Sequence, residues 1–267
     1  MATHDPGHES YENFETSFEN GVLRAEIHST AEMNALSDNM SDELLDLAVR
    51  LHEEPVRCFV LTGSDGVFCA GGDVTSFTSE SPAAGMRKGA SVLHDAIVQF
   101  HEAEVPIVTG INGPAVGAGF SLAIFGDYVL ASENAYFQFG YPGIGATGDG
   151  SATYYLPRVV GLRQAKRLAL TNDKVQPDEA VDLGLATEAV PHEEFAGRLT
   201  ELATEVASGP TVALGRTQRL LDHSTSASLE EQLAAETDTI ARTANTEDFR
   251  EGVRAFTEGE RPEFEGK

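Results

Sequence analysis

The sequence has few basic residues for its length. Only 18 lysines and arginines stand against 43 aspartates and glutamates, so the formal net charge of the 267-residue chain at pH 7 is −25. A surface this acidic repels nucleic acid and anionic lipid. We therefore expect neither as a partner.

Cysteines and long hydrophobic runs are also scarce. The two cysteines, Cys58 and Cys69, are too few for a disulfide framework. No apolar stretch reaches the roughly 18 residues that a transmembrane helix needs. The polar, acidic N-terminus has neither an apolar signal core nor a basic region before one. These absences predict a cytoplasmic protein.

Lysine is the scarcer of the two basic residues, since only four of the 18 are lysines. An excess of carboxylates with little lysine is typical of proteins from halophiles that accumulate salt. Carboxylates stay hydrated in concentrated salt, and a Debye length of about 3 Å at 1 M screens their mutual repulsion. We expect a halophilic origin, with an ordinary acidic cytosolic protein as the alternative.

Short apolar runs alternate with helical patterns along most of the chain. Asn20-Gly21, between two alternating segments, predicts a β-hairpin over 14–28. Further strands are predicted at 57–62, 105–111, 128–130 and 187–190, and helices at 41–51, 91–100, 117–125, 163–170 and 177–183. This alternation predicts an α/β fold with mostly parallel strand pairing.

The chain divides into three predicted regions. Residues 1–12 form a polar N-terminal tail, and residues 13–195 form an α/β core that carries the functional site. Residues 196–267 are almost entirely helical in pattern, with the longest helical segment at 228–256.

Two glycine clusters each follow a strand and open a helix. The first cluster is Ala70-Gly71-Gly72-Asp73-Val74, and the second is Val116-Gly117-Ala118-Gly119. Small residues let a ligand approach the backbone, and two backbone N–H groups directed at one oxygen stabilise an oxyanion. Turn and packing glycines are the alternative explanation. Neither cluster is a P-loop, because no Gly-Lys-Ser/Thr follows.

With these motifs the sequence resembles the crotonase family, the enoyl-CoA hydratase/isomerase superfamily, over about 14–264. The segments that carry the resemblance are Asn34-Ala35-Leu36-Ser37, Phe68-Cys69-Ala70-Gly71-Gly72-Asp73, Gly113-Pro114-Ala115-Val116-Gly117, Leu156-Pro157-Arg158 and Glu247-Asp248-Phe249-Arg250-Glu251-Gly252-Val253. The resemblance implies a spiral of ββα units with a C-terminal helical region that forms a homotrimer or a dimer of trimers. It also implies an acyl-CoA thioester substrate and no metal or separate cofactor.

The resemblance assigns site residues by position. The N–H groups of Gly72 and Ala118 would hold the thioester oxygen in an oxyanion hole. The substrate-binding residues that it implies are Met33, Ala35, Ala70, Gly71, Gly72, Asp73, Val74, Gly117, Ala118 and Tyr141. Asp73 is also a candidate helix N-cap, a common role for aspartate.

The chain departs from the family where a hydratase carries two glutamates. Ser121 occupies the first of these positions, and the second falls close to Tyr141. An alcohol gives up its proton too reluctantly to replace a carboxylic acid near pH 7. Hydration by two carboxylates is therefore hard to assemble in this chain.

Asp149 is the remaining candidate for acid–base chemistry, because it resembles the single acidic residue of isomerase-type members. One carboxylate suffices for a 1,3-proton shift if an oxyanion hole holds the dienolate between steps. The alternative is that Asp149 only caps the helix that follows it. The eight histidines, including His94 and His101, show no metal-ligand spacing.

The expected function is an acyl-CoA enzyme, with an enoyl-CoA double-bond isomerase as the first choice. The same oxyanion hole would also support a hydratase, thioesterase or decarboxylase, so these stay open. A non-catalytic CoA-binding protein is the alternative from another class.

Overall fold

The computed structural model of the chain describes residues 11–74 and 82–267. The strands are β1 (Phe14–Glu19), β2 (Val22–Ile27), β3 (Cys58–Gly63), β4 (Ile107–Ile111), β5 (Pro114–Val116), β6 (Tyr128–Ser132), β7 (Tyr136–Gln138) and β8 (Glu188–Val190). The helices are α1 (Asp38–Glu53), α2 (Pro82–Glu102), α3 (Ala118–Ile124), α4 (Ala152–Thr171), α5 (Pro177–Leu183), α6 (His192–Ala207), α7 (Thr211–Ser224), α8 (Leu229–Thr243) and α9 (Glu247–Glu258). Short 3₁₀ helices cover Glu32–Asn34 and Tyr141–Ile144.

The predicted hairpin is confirmed. β1 and β2 pair antiparallel, and the turn residues Asn20 and Gly21 have φ values of 52° and 79°. Positive φ at both central positions is what a tight hairpin turn of this type requires. All other pairs of the six-stranded sheet are parallel, in the order β1-β2-β3-β4-β6-β8.

A second layer of pairing runs beside this sheet. It contains the bridges Leu36–Gly72 and Cys69–Ala115 and the parallel pair β5–β7. Four strands of the large sheet, β2, β3, β4 and β6, are each followed by an extended segment in the second layer and then by a helix. The α/β fold is confirmed, and this repeated arrangement agrees with the ββα units that the resemblance implied.

Both faces of the large sheet are buried. On β3, Phe59 and Leu61 belong to the main hydrophobic core, whereas Cys58 and Val60 pack in a second cluster with Leu199 of α6. A parallel strand covered on both faces is a continuous apolar run rather than an alternating one. This explains the sequence pattern of 57–62.

α6 begins at His192 and packs against the sheet. The predicted division between 195 and 196 therefore falls inside this helix, and the division into regions stays a prediction. α8 has no buried residue. The predicted tail lies outside the described residues up to position 10, while the N–H of Glu12 donates to Glu43 of α1 at 2.7 Å.

Three predicted helical segments differ from the helices of the structure. α2 begins earlier than predicted, because the small residues of 82–90 lack an apolar period. α4 has an additional first segment, and Gly161, with a φ of 75° and a ψ of 153°, kinks the helix just before the predicted 163–170. The predicted segment 228–256 is two helices, α8 and α9, and the Thr246 hydroxyl caps the second by accepting from the N–H of Phe249. Among the described residues, no helix is long and apolar enough to cross a membrane.

Candidate functional site

The two glycine clusters lie side by side. The N–H of Cys69 donates to Pro114 O, and the N–H of Val116 donates to Cys69 O, both at 3.0 Å. Gly71 and Gly117, which follow these pairs, have φ values of +112° and +56°. A Cβ built on Gly117 would lie 3.6 Å from the Cα of Gly71. The structure therefore brings together the residues that precede Gly72 and Ala118.

The close approach of the two segments depends on Gly119. A Cβ at this position would lie 1.9 Å from the carbonyl oxygen of Cys69, a distance that no real contact allows. Only glycine lets α3 begin this close to the first cluster. The sequence pattern Gly-Ala-Gly after Val116 is thus a packing requirement as well as a candidate site.

Two backbone donors remain available at this junction. Within 11–74 and 82–267, neither the N–H of Gly72 nor that of Ala118 has a hydrogen-bond acceptor. Unpaired backbone donors beside buried structure bind water or a ligand oxygen. This agrees with the predicted oxyanion hole, which stays a prediction.

The predicted CoA-binding segments are also neighbours. The N–H of Ala70 donates to Met33 O at 3.0 Å, and the N–H of Leu36 donates to Gly71 O at 2.7 Å. Met33 is exposed and has a φ of 57°, and Val74 is exposed as well. Ala35 lies between the paired positions, so the two segments run side by side.

Asp149 lies beside the first turn of α3. Its carbonyl oxygen accepts from the Ser121 hydroxyl at 2.8 Å and from the Tyr141 hydroxyl at 2.9 Å. Tyr141 is buried, and both described partners of its hydroxyl, Ser121 and Asp149, belong to the protein. The Tyr141 hydroxyl is therefore occupied by the protein, so the predicted contact with the substrate would involve only the Tyr141 ring.

The carboxylate of Asp149 contacts a histidine. His94 Nε2 lies 2.7 Å from Asp149 Oδ1, and the two side chains are 50% and 40% exposed. An ionised carboxylate only accepts hydrogen bonds, so His94 donates from Nε2. Among the described residues the second carboxylate oxygen has no hydrogen-bond partner, which leaves it available to a substrate.

Capping is not what the Asp149 side chain does. The N-cap residue of α4 is Ser151, in a left-handed conformation with a φ of 70°, and the helix has no side-chain cap. The helix start is instead supported by the N–H of Ala152, which donates to the carbonyl oxygen of Asp149 at 3.1 Å. The capping alternative is therefore wrong for the carboxylate.

Sequence reasoning missed His94 as a site residue. It lies on α2, 55 positions before Asp149, and nothing in its neighbourhood distinguishes it from His101.

Two further predictions concern capping and metal binding. A helix capped by Asp73 would include residues 75–81, which lie outside the described residues. In the described part of the chain, no three histidine, cysteine, aspartate or glutamate side chains form a metal-binding group.

Cys69, in the first cluster, is a packing residue. It is fully buried, and burial raises the pKa of its thiol to about 11. The thiol is therefore protonated at neutral pH and is a poor nucleophile.

Comparison with known proteins agrees with this geometry. The sequence model of the enoyl-CoA hydratase/isomerase family matches residues 17–267. The chain belongs to this family. As a member, it is an acyl-CoA enzyme, which confirms the coarser part of the expected function.

Relatives in the enoyl-CoA hydratase/isomerase family carry different reaction names. The chain is 30% identical to a 1,2-epoxyphenylacetyl-CoA isomerase of Escherichia coli, with 93% of this chain and 97% of that protein covered. It is also 30% identical to a 4-chlorobenzoyl coenzyme A dehalogenase of an Arthrobacter species, covering 88% and 87%. The solved structure of an enoyl-CoA hydratase from Bacillus anthracis superposes with a TM-score of 0.90 at 25% identity, covering 96% of this chain and all of that one.

Proposed function

We propose that this protein is an enoyl-CoA double-bond isomerase in which Asp149 is the proton carrier. The observation that carries the proposal is the Asp149 carboxylate, which is held by His94 at 2.7 Å instead of capping α4. Ser121 stands at the position of a hydratase's first glutamate, and the second position falls close to Tyr141, whose hydroxyl contacts that of Ser121. Asp149 supplies one carboxylate, and neither Ser121 nor Tyr141 supplies a second. A single carboxylate favours a proton shift over hydration.

The reaction follows from these groups. The thioester oxygen accepts from the N–H groups of Gly72 and Ala118, which stabilises the negative charge as the substrate loses a proton. Asp149 takes the proton from one carbon and returns it to the other end of the conjugated system. The His94 N–H, bonded to one carboxylate oxygen, orients the other toward the substrate. The shift changes no oxidation state, so it requires no redox cofactor.

CoA would lie along the two paired segments. Met33 and Ala35 border it on one side, and Ala70, Gly71, Asp73 and Val74 on the other. Backbone atoms rather than charged side chains dominate these segments. Screening of surface ion pairs in concentrated salt would leave such contacts intact.

We also propose that the chain assembles as a homotrimer or a dimer of trimers. On α8, Leu229, Leu233 and Ile240 are 73%, 51% and 68% exposed. Their spacing places them along one face of the helix. Contiguous exposed apolar surface of this kind marks an interaction site, and a second copy of the chain would cover it.

The His94–Asp149 contact supports a second candidate, displacement of a leaving group from the acyl part. The carboxylate would attack the carbon that carries the leaving group, and the group would depart with its electron pair. His94 would then take a proton from water, which attacks the carboxyl carbon of the resulting ester and releases a hydroxylated acyl-CoA. The dehalogenase among the relatives gives this candidate a substrate class, an aryl-CoA that carries a halogen.

Three substrates separate these reactions in molar KCl. A 3-enoyl-CoA that gains the absorbance of a conjugated thioester supports the isomerase. A 2-enoyl-CoA that loses this absorbance indicates hydration, and halide release from a halogenated aryl-CoA indicates displacement. If none of the three is converted, the isomerase proposal fails and CoA-thioester binding remains to be measured.

A further inference from the structure

Two buried hydroxyls contact each other behind the carboxylate of Asp149. Ser121 Oγ lies 2.7 Å from the Tyr141 hydroxyl oxygen. Both residues are buried, Ser121 in the first turn of α3 and Tyr141 at the start of the 3₁₀ helix. By the family resemblance, Ser121 occupies the position of one glutamate of a two-glutamate hydratase, and Tyr141 lies close to the position of the other.

The two hydroxyls connect the backbone on both sides of the site. Ser121 Oγ lies within hydrogen-bond distance of Gly117 O, at 3.2 Å, and of Asp149 O, at 2.8 Å. The Tyr141 hydroxyl donates to Asp149 O at 2.9 Å. Gly117 immediately precedes Ala118, whose N–H is a proposed oxyanion donor. The network therefore joins one proposed donor to the residue that carries the proposed base.

Each hydroxyl has one proton, and this limits what the network does. Ser121 donates to one acceptor at a time among Gly117 O, Asp149 O and the Tyr141 oxygen. Burial raises the pKa of Tyr141 above its ordinary value, so the phenol stays protonated. Neither group is suited to exchange a proton with the substrate near neutral pH. Their contacts fit holding the backbone in place.

We propose that Ser121 and Tyr141 are positioning residues that fix the distance between the oxyanion hole and the Asp149 carboxylate. The inference rests on the proposed roles of Ala118 and Asp149. The Ser121 hydroxyl contacts both sides of the site, whereas in 11–74 and 82–267 the Tyr141 hydroxyl has one backbone acceptor, the Asp149 carbonyl. Removing each hydroxyl therefore has a different predicted effect.

Tyr141→Phe is expected to lower kcat about 10- to 100-fold, because a displacement near 1 Å of a reacting group costs about 10²-fold in rate. KM is expected to stay within about threefold, because the substitution changes neither of the two segments that are proposed to bind CoA. Ser121→Ala is expected to lower kcat similarly. Ser121→Cys replaces the hydroxyl with a weakly donating thiol and is expected to recover part of the lost kcat. Since the two hydroxyls act as one network, the double variant is expected to lose less than the product of the two single losses.

Tyr155→Phe is the matched control. The Tyr155 hydroxyl lies 3.3 Å from His101 Nδ1, and among the described residues it forms no hydrogen bond with Asp149 or α3. The substitution also removes one partly buried phenolic hydroxyl, but it is expected to leave kcat unchanged. An equal loss of kcat in Tyr155→Phe and Tyr141→Phe would show a general packing effect and overturn the inference.

The decisive readout is the infrared carbonyl stretch of a bound saturated acyl-CoA labelled with carbon-13 at the thioester. In the wild type, two N–H donors are expected to move the band below its frequency in water. Ser121→Ala is expected to move the band back toward the water value, whereas Tyr141→Phe leaves it in place and lowers only kcat. A shifted wild-type band that Ser121→Ala does not move, with kcat unchanged in both variants, would overturn this inference alone. A wild-type band at the water frequency would refute the oxyanion hole and the inference with it.

Discussion

Replacing Asp149 with asparagine separates catalysis from structure at the proposed base. The amide is close in size to the carboxylate and still accepts a hydrogen bond from His94 Nε2. It cannot accept and return a substrate proton near neutral pH. The carbonyl oxygen of Asp149, which accepts from Ser121, Tyr141 and Ala152, is unchanged by the substitution.

The structure predicts a small change in stability for Asp149→Asn. The contact with His94, which the substitution weakens, joins side chains that are 50% and 40% exposed, and surface pairs of this exposure contribute about 0–1 kcal/mol. The carboxylate does not cap α4, so no capping energy of about 1 kcal/mol is lost. For a chain of this size, 1 kcal/mol corresponds to about 2–4 °C in Tm. The melting temperature is therefore expected to fall by only a few degrees.

The predicted change in rate is much larger. Loss of a general base costs about 10²- to 10⁴-fold, and loss of the only proton carrier belongs at the upper end of this range. Turnover of 3-enoyl-CoA, acyl-CoA affinity and Tm would be measured together, with Asp173→Asn in the exposed loop after α4 as the control. A variant that keeps more than about a tenth of wild-type turnover would retain more than loss of the general base permits. This result would refute the assignment of Asp149.

Three further predictions follow from other parts of the chain. Assembly is expected to require salt, because a net charge of −25 per subunit repels at the contacts; sedimentation that shows the same oligomer in dilute buffer and in molar KCl would contradict this. Desolvation in the cleft beside α7 and the charge of Asp222 raise the pKa of Asp127 above its ordinary value, so its contribution to stability is present below about pH 4 and lost as the pH rises. Asp127→Asn is therefore expected to raise Tm more at pH 8 than at pH 4, and an equal change at both would contradict the shift. Gly119→Ala places a Cβ 1.9 Å from Cys69 O, so overpacking of about 1–3 kcal/mol or more is expected with a loss of turnover, and unchanged turnover would contradict the predicted contact.

Local sequence signals predicted most of the sheet. Asn20-Gly21 determined the hairpin, and the continuous apolar run at 57–62 determined a strand buried on both faces. They failed where tertiary contacts override them. They missed the first segment of α4, before Gly161, whose φ of 75° and ψ of 153° kink the helix just ahead of the predicted 163–170. The early turns of α2 carry small residues without an apolar period.

The candidate site was predictable only in part. The glycine clusters carry their own signal, because close backbone approach requires small residues at adjacent positions. The contact of His94 with Asp149 carries none, since it depends on how α2 packs beside a loop 55 residues later. Local rules also favoured capping for an aspartate before a helix, whereas the structure directs this side chain to His94. Function at this position is set by packing between distant elements.

The most direct test of the proposed function is the mass and bond position of the product formed from 3-enoyl-CoA by the wild-type protein in molar KCl. A proton shift through Asp149 predicts a product of unchanged mass with the double bond conjugated to the thioester. A product heavier by one water molecule, or free CoA with a released acid, would contradict the isomerase assignment.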